Sequence, residues 1–266
     1  MYSKIFPLTV LLLGFLFLSS AHSQESTIQP LNQLIPAGNQ LILNAIKTMP
    51  AGGGYSAGAT ATQALRHAVR LTENKTLQVD PSHAMPSYCS GATYLVFLKV
   101  ITALQDTHRI SLSPETLEAL KPEGQPDGTG IWGRWNANGP GTARLFYELG
   151  LGHNFSDLAQ AQCGDFLKIW WNDAIGSAEH GHSVVYMGSE YRNGIPYLSY
   201  WSSNVPGGFG VKSVSLSRIH RMLFSRLQYP QALTKALSLP RADHYLYSLQ
   251  THNSTAAEMN QLCGVR

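Results

Sequence analysis

Between Ala92 and Leu104 the chain carries Ala92, Leu95, Val96, Phe97, Val100, Ile101 and Leu104, spacings that cover most of the circumference of a helix. A helix apolar along one stripe can lie on a surface, whereas one apolar nearly all round belongs in the middle of a domain. The rest of the fold has to be built around this rod. Ser87 stands where an N-cap is expected, which places Cys89, Ser90 and Gly91 in the first turn. A thiol followed by two small residues therefore sits at the tip of a buried helix.

The remainder of the chain can supply such a domain. With 44% apolar and 13% charged residues it buries a real core and does not read as disordered. A net charge of +3 suits contact with an anionic envelope but is too mild to predict nucleic-acid binding. At the start, Lys4, the apolar run Ile5 to Leu18 and the small-residue stretch Ser19 to Ser23 read as a cleaved secretory signal, residues 1–23. The run is short for a membrane span of about 20 residues, so no stable anchor is expected after cleavage. The expected product is a secreted or periplasmic chain, 24–266, forming a single domain whose core lies at about 81–215.

Export favours disulfides, yet three cysteines cannot all pair within one chain. Cys163 precedes a Gly-Asp turn and Cys263 lies close to the C-terminus, so a Cys163–Cys263 bridge would tie down the tail. That pairing leaves Cys89 free.

Local signals divide the chain into helices first and strands after. Helices are expected at about Gly38 to Thr48, Thr60 to Leu71, Ser113-Pro114 to Leu120 and Thr142 to Leu149, with a glycine loop from Ala51 to Gly58. Gly124 to Gly141 reads as a long loop. Its Trp132, Trp135, Asn136 and Asn138 form either a binding wall or a crossover whose tryptophans plug the core. Phe166 to Trp171, His182 to Met187 and Ile195 to Trp201 are β-branched and aromatic runs, the last two joined through the hairpin signal Arg192-Asn193-Gly194. The fold class is α+β.

A thiol attacks only as thiolate, and a helix N-terminus together with an imidazolium lowers its pKa. Cys89 has the first; ten histidines compete to supply the second. His180 and His182 open a strand. As a His-x-His pair they also read as metal ligands, but no third ligand is evident, so no metal is expected. A histidine entering a buried strand suits a general base, and His182 is that candidate. Hairpin geometry then selects its partner. A two-residue Asn193-Gly194 turn pairs Arg192 with Ile195 and sets His182 opposite Val205, with Ser203 on the diagonal. A three-residue loop pairs Tyr191 with Ile195 and sets His182 opposite Asn204, whose amide would orient the ring. Asn204 is preferred.

Cys89-Ser90-Gly91 opening a buried helix, Gly164-Asp165 leading into a strand, and Gly181-His182-Ser-Val-Val-Tyr-Met-Gly188 resemble, in order and spacing, the three blocks of NlpC-type and CHAP cell-wall cysteine peptidases. The resemblance covers about Tyr88 to Asn204. It implies a papain-like fold in which the cysteine helix packs on a small antiparallel sheet. It also implies a cofactor-free hydrolase of peptide or amide bonds, most often in peptidoglycan stem peptides. Cys89 would be nucleophile, His182 proton carrier and Asn204, or a neighbour, its orienting partner. Apart from the resemblance, Tyr88 beside the thiol and Trp135 and Asn136 of the long loop, an insertion relative to that family, are expected to bind substrate. Tyr88 stands where many relatives carry an aspartate that helps recognise the substrate's amino terminus. The usual upstream Tyr-x-x-Gly-Gly stretch is absent, and Tyr55 lies farther back. These departures imply a distinct specificity. The alternatives are a wall-binding protein of the same fold without turnover, and a thiol acyltransferase or deamidase.

Overall fold

The computed structural model describes residues 36–265, so the expected signal segment lies outside the described residues. The buried rod is helix α3, Cys89–Asp106. Ahead of it come α1 (Ala37–Lys47), the two-residue strand β1 (Gly52–Gly53), α2 (Ala59–Ala68) and a small hairpin of β2 (Val69–Leu71) and β3 (Leu77–Val79). After it come α4 (Pro114–Ala119), α5 (Gly130–Asn136) and α6 (Gly141–Leu149). The strands β4 (Gly152–Phe155), β5 (Phe166–Trp170), β6 (Gly181–Arg192), β7 (Ile195–Asn204), β8 (Gly208–Ser215) and β9 (Arg221–Leu227) follow, with α7 (His244–Ser248) and α8 (Ala256–Leu262) closing the chain.

Seven of these strands form one antiparallel sheet in the order β1-β8-β7-β6-β5-β9-β4. The architecture is α+β, and the sheet draws on β1 and β9, both beyond the 81–215 stretch expected to hold the core. No helix among the described residues is long and apolar enough to cross a membrane.

Alpha-3 is encased as its composition requires: Ala92, Leu95, Val96, Phe97, Leu98 and Ile101 have no measurable exposure. Each such side chain contributes about 1.5–3 kcal/mol on burial, so the helix and its surroundings stabilise one another. Trp135 stacks on Phe97 with centroids 4.9 Å apart and meets Phe166 of β5 edge-on at 5.1 Å. The helix is thereby locked between α5 and the sheet.

Three expectations change. Gly124 to Gly141 is not one loop, because α5 forms inside it. Ile131, Trp132 and Trp135 fall on the face turned to the α3 core, and all are buried. Gly133 lets α5 fold back closely, since a Cβ there would lie 2.2 Å from the Pro126 carbonyl oxygen. The second helix stops at Ala68, and Val69–Leu71 pairs with Leu77–Val79 as strand. The Cys163–Cys263 bridge is absent, and all three thiols are free. Cys263 is buried with Ala143, Trp170, Ile175, Leu223 and Met259, so apolar packing rather than a covalent tie holds the tail. Cys163 instead donates to the Met187 carbonyl at 3.1 Å.

Candidate active site

Cys89 occupies the first position of α3, but its cap is Tyr88, not Ser87, and no side chain caps the turn. Ser87 is drawn into strand-like pairing. Its N–H donates to Gly54 O at 3.2 Å, and its carbonyl accepts from Ser56 N at 3.0 Å and Ser203 Oγ at 3.0 Å. The first helical bond is Ala92 N to Tyr88 O, so the N–H groups of Cys89, Ser90 and Gly91 have no partner within the helix. A half-buried sulfur beside free donors at the positive end of a helix is set up to carry, and to stabilise, negative charge.

The hairpin reaches the preferred partner by another route. Arg192 pairs with Ile195, so the turn is the two-residue type. A β-bulge then shifts the ladder by one residue between Gly188 and Tyr186, and Tyr186 faces Tyr200. Continued inward, that register sets His182 opposite Asn204, and His182 Nε2 lies 3.2 Å from Asn204 Oδ1. Ser203 is engaged with Ser87 and does not touch the ring.

Asn204 also decides the tautomer. Its Nδ2 donates to Ser202 O at 3.1 Å and Gly210 O at 2.8 Å, which leaves Oδ1, an acceptor, facing the imidazole. Nε2 must then carry hydrogen, and Nδ1 remains to take a proton from the sulfur. The ring is held further by Tyr200, edge-on at 5.4 Å, and by Trp171 at 6.4 Å.

Burial by itself pushes the Cys89 thiol up, but its hydrogen bond to His182, the imidazole's charge, the Ser183 N–H and the Lys168 ammonium outweigh burial and bring it down to about 7. As pH falls through 7 the thiolate is protonated, so the rate of Cys89 alkylation is expected to drop about tenfold per unit below that point. Iodoacetamide labelling followed from pH 5 to 10 checks this, and an unperturbed midpoint near 8.5 would contradict it.

The sulfur opens into a cleft of about 320 Å³ lined by Tyr55, Tyr88, Ser90, Asp127, Asn136, Lys168 and Glu179 among others. Of the expected binding residues, Tyr88 and Asn136 belong to it. Trp135 does not: it is 1% exposed and its indole N–H donates to Thr93 Oγ1 at 3.2 Å. The tryptophans of the Gly124 to Gly141 segment plug the core while its asparagines face the cleft. Ser90 Oγ donates to Asn136 Oδ1 at 2.7 Å, and Asn136 Nδ2 donates to Asp127 Oδ1 at 3.1 Å. Burial raises the Asp127 carboxyl. Lys168 and Glu179 pair at 2.6 Å across the cleft wall.

Tyr55, set aside in the sequence because it lies too far ahead of Cys89 to match the usual upstream tyrosine, reaches the sulfur in the fold. Its segment pairs with Ser87 and, through β1, with β8, which carries the phenol to Cys89. Burial, then the charge of and hydrogen bond to Cys89, push the phenol up to about 12, so it stays a donor toward the sulfur. Tyr55→Phe removes a donor to the thiolate and is therefore expected to raise the midpoint of Cys89 alkylation; the pH profile of labelling checks it. Its sequence signals were its place in a glycine-rich stretch and the tyrosine that the resembling peptidases carry upstream of the cysteine.

Among the described residues no group of histidine, cysteine and acidic side chains could hold a metal ion. His180 is exposed, and its backbone N–H is bound to Asn172 Oδ1 at 3.1 Å. A thiol, an oriented imidazole, an amide behind it and free backbone donors can together carry out acyl transfer through a thioester. No family model, curated protein or solved structure matches this chain.

Proposed function

We propose that this protein is an exported papain-like thiol hydrolase that cleaves peptide or amide bonds in peptidoglycan stem peptides. The observation that carries the reading is the relay from Cys89 to His182 to Asn204, with the imidazole bound at 3.2 Å by an amide whose own donors are spent elsewhere. The Cys89 thiolate attacks the substrate carbonyl, and N–H groups of the first α3 turn receive the oxyanion. Imidazolium at His182 gives its proton to the leaving amine as the C–N bond breaks. Water then attacks the thioester, imidazole takes its proton, and thiolate is released.

The cleft supports a polar, charged peptide rather than an apolar ligand, because donors and acceptors of both charges line it. The secretion signal expected at residues 1–23 and the three-block resemblance support the cell wall as the place where such a peptide is met. Purified sacculi and synthetic stem peptides, incubated with the protein and resolved by mass spectrometry, test the reading. New amino and carboxyl termini are expected, and iodoacetamide treatment should prevent them. Intact substrates with a reactive Cys89, or products that require an added acyl acceptor, would overturn hydrolysis.

A further inference from the structure

The β6–β7 hairpin begins in one register and ends in another, and the change occurs at one residue. From Arg192 opposite Ile195 to Gly188 opposite Ser199 the ladder follows the two-residue turn; from Tyr186 opposite Tyr200 inward it is displaced, with Met187 left unpaired. Were the outer register to continue, His182 would face Val205, and Asn204 would turn to the other side of the sheet.

Two groups hold the extra residue. Gly188 has a φ of +129°, a conformation that essentially only glycine adopts. A Cβ there would meet nothing closer than Cys163 Sγ at 3.7 Å, so conformation rather than space demands glycine. Cys163 Sγ supplies the donor for the Met187 carbonyl at 3.1 Å. Alongside, Gly164 N–H donates to Tyr186 O at 2.8 Å and Tyr186 N–H to Asp165 O at 2.9 Å, which pins the residue before the bulge to the start of β5. Past the bulge, Ser202 Oγ donates to Ser183 O at 2.7 Å and carries the new register to the site.

We propose that the bulge at Met187, held by Gly188 and Cys163, is the device that delivers Asn204 to His182, so that Gly188 and Cys163 are positioning residues for the reacting pair. Bulges re-aim side chains and alter register beside functional sites, and this one accounts for a partner that the turn alone would misplace. The inference rests on reading Cys89 and His182 as that pair. Alkylation of Cys89 consumes no wall peptide, so its outcome is independent of the substrate assigned.

The test is the pH profile of Cys89 alkylation, read at that peptide by mass spectrometry, in wild type, Asn204→Ala, Gly188→Ala, and Gly188→Ala with Met187 deleted. The wild-type midpoint near 7 is expected to rise in Gly188→Ala to the value found in Asn204→Ala. It should return when Met187 is also deleted, because a ladder with no extra residue keeps Tyr186 opposite Tyr200 without a left-handed backbone. A merely structural role predicts the reverse, since deleting the half-buried Met187 on top of the glycine substitution only weakens packing further. A Gly188→Ala profile that superimposes on wild type overturns the proposal, as does a double variant that stays shifted. If Gly188→Ala alone does not fold, recovery of folded protein with the wild-type midpoint on deletion supports it, and failure to recover overturns it. A wild-type midpoint near that of a free thiol would refute the reacting pair itself, a result distinct from all of these.

Discussion

Cys89→Ala is expected to abolish turnover, by at least about 10³-fold, while leaving the protein folded. The side chain is half-buried at a helix tip rather than packed in the core, and alanine is a good helix former, so circular dichroism and melting temperature should be unchanged. His182→Ala should fall to a similar level, because without the imidazole the sulfur loses both its proton acceptor and its counter-charge. The double variant should be little worse than either single one, since the two act as a unit. Asn204→Ala is expected to lose less, about 10–10²-fold, because its amide touches the ring and not the substrate. Product release from stem peptides, measured beside the melting curves, checks all four. Substantial turnover in Cys89→Ala would remove the nucleophile from the mechanism.

Asp165→Ala should have the largest effect on stability, with activity lost only through unfolding. Asp165 is fully buried, and both its oxygens are engaged. Arg226 of β9 donates through Nε to Oδ1 at 2.8 Å and through a terminal nitrogen to Oδ2 at 2.7 Å. Asn39 of α1 donates to Oδ1 at 2.8 Å, and Gln162 N–H to Oδ2 at 2.8 Å. One carboxylate thus ties the first helix, the turn into β5 and a neighbouring strand. Its removal strands a guanidinium whose side chain is 11% exposed. Breaking such a pair from one side costs about 3–5 kcal/mol, which for a domain of this size lowers Tm by roughly 10 °C. Thermal unfolding by calorimetry decides it, and a shift within 2 °C or so would contradict the account. Asp165→Asn, which keeps shape and one acceptor, should lie between.

Much of the frame was legible beforehand, for stated reasons. Alpha-3 announced itself because apolar residues around a whole helix have one stable environment. Ser113-Pro114 opens α4 as a cap and first-turn proline do, with Ser113 Oγ accepting from Thr116 N at 3.2 Å. The hairpin was marked by Asn193-Gly194, both of which have positive φ. What failed also has causes. Glycines and asparagines between Gly124 and Gly141 looked like loop because punctuation residues hid the short apolar spacing of α5. Ser87 looked like a cap because local preference carries no record of a strand, far off in sequence, that claims its backbone. Cysteine count and the expected export favoured a bridge, yet apolar burial of Cys263, which also pushes that thiol up to about 12, holds it inert instead.

The candidate site shows the same division. The thiol, its helix tip and the histidine strand could be read from the chain, since each depends on residues near in sequence. Asn204 was reached through a three-residue loop that does not form; the two-residue turn and the bulge at Met187 lead to the same neighbour.

By itself, the amino-acid sequence determined which segments must be buried, where the central hairpin lies, and which side chains have chemistry to offer; that β1 and β4 join the sheet ahead of Phe166 was decided by the fold. Only the tertiary structure decided that Tyr55 reaches the sulfur, that Trp135 leaves the cleft for the core, and that one extra residue brings His182 and Asn204 together. Periodicity and propensity are sums over neighbouring residues, whereas a strand register, a bulge and a cleft are settled by contacts between segments far apart along the chain.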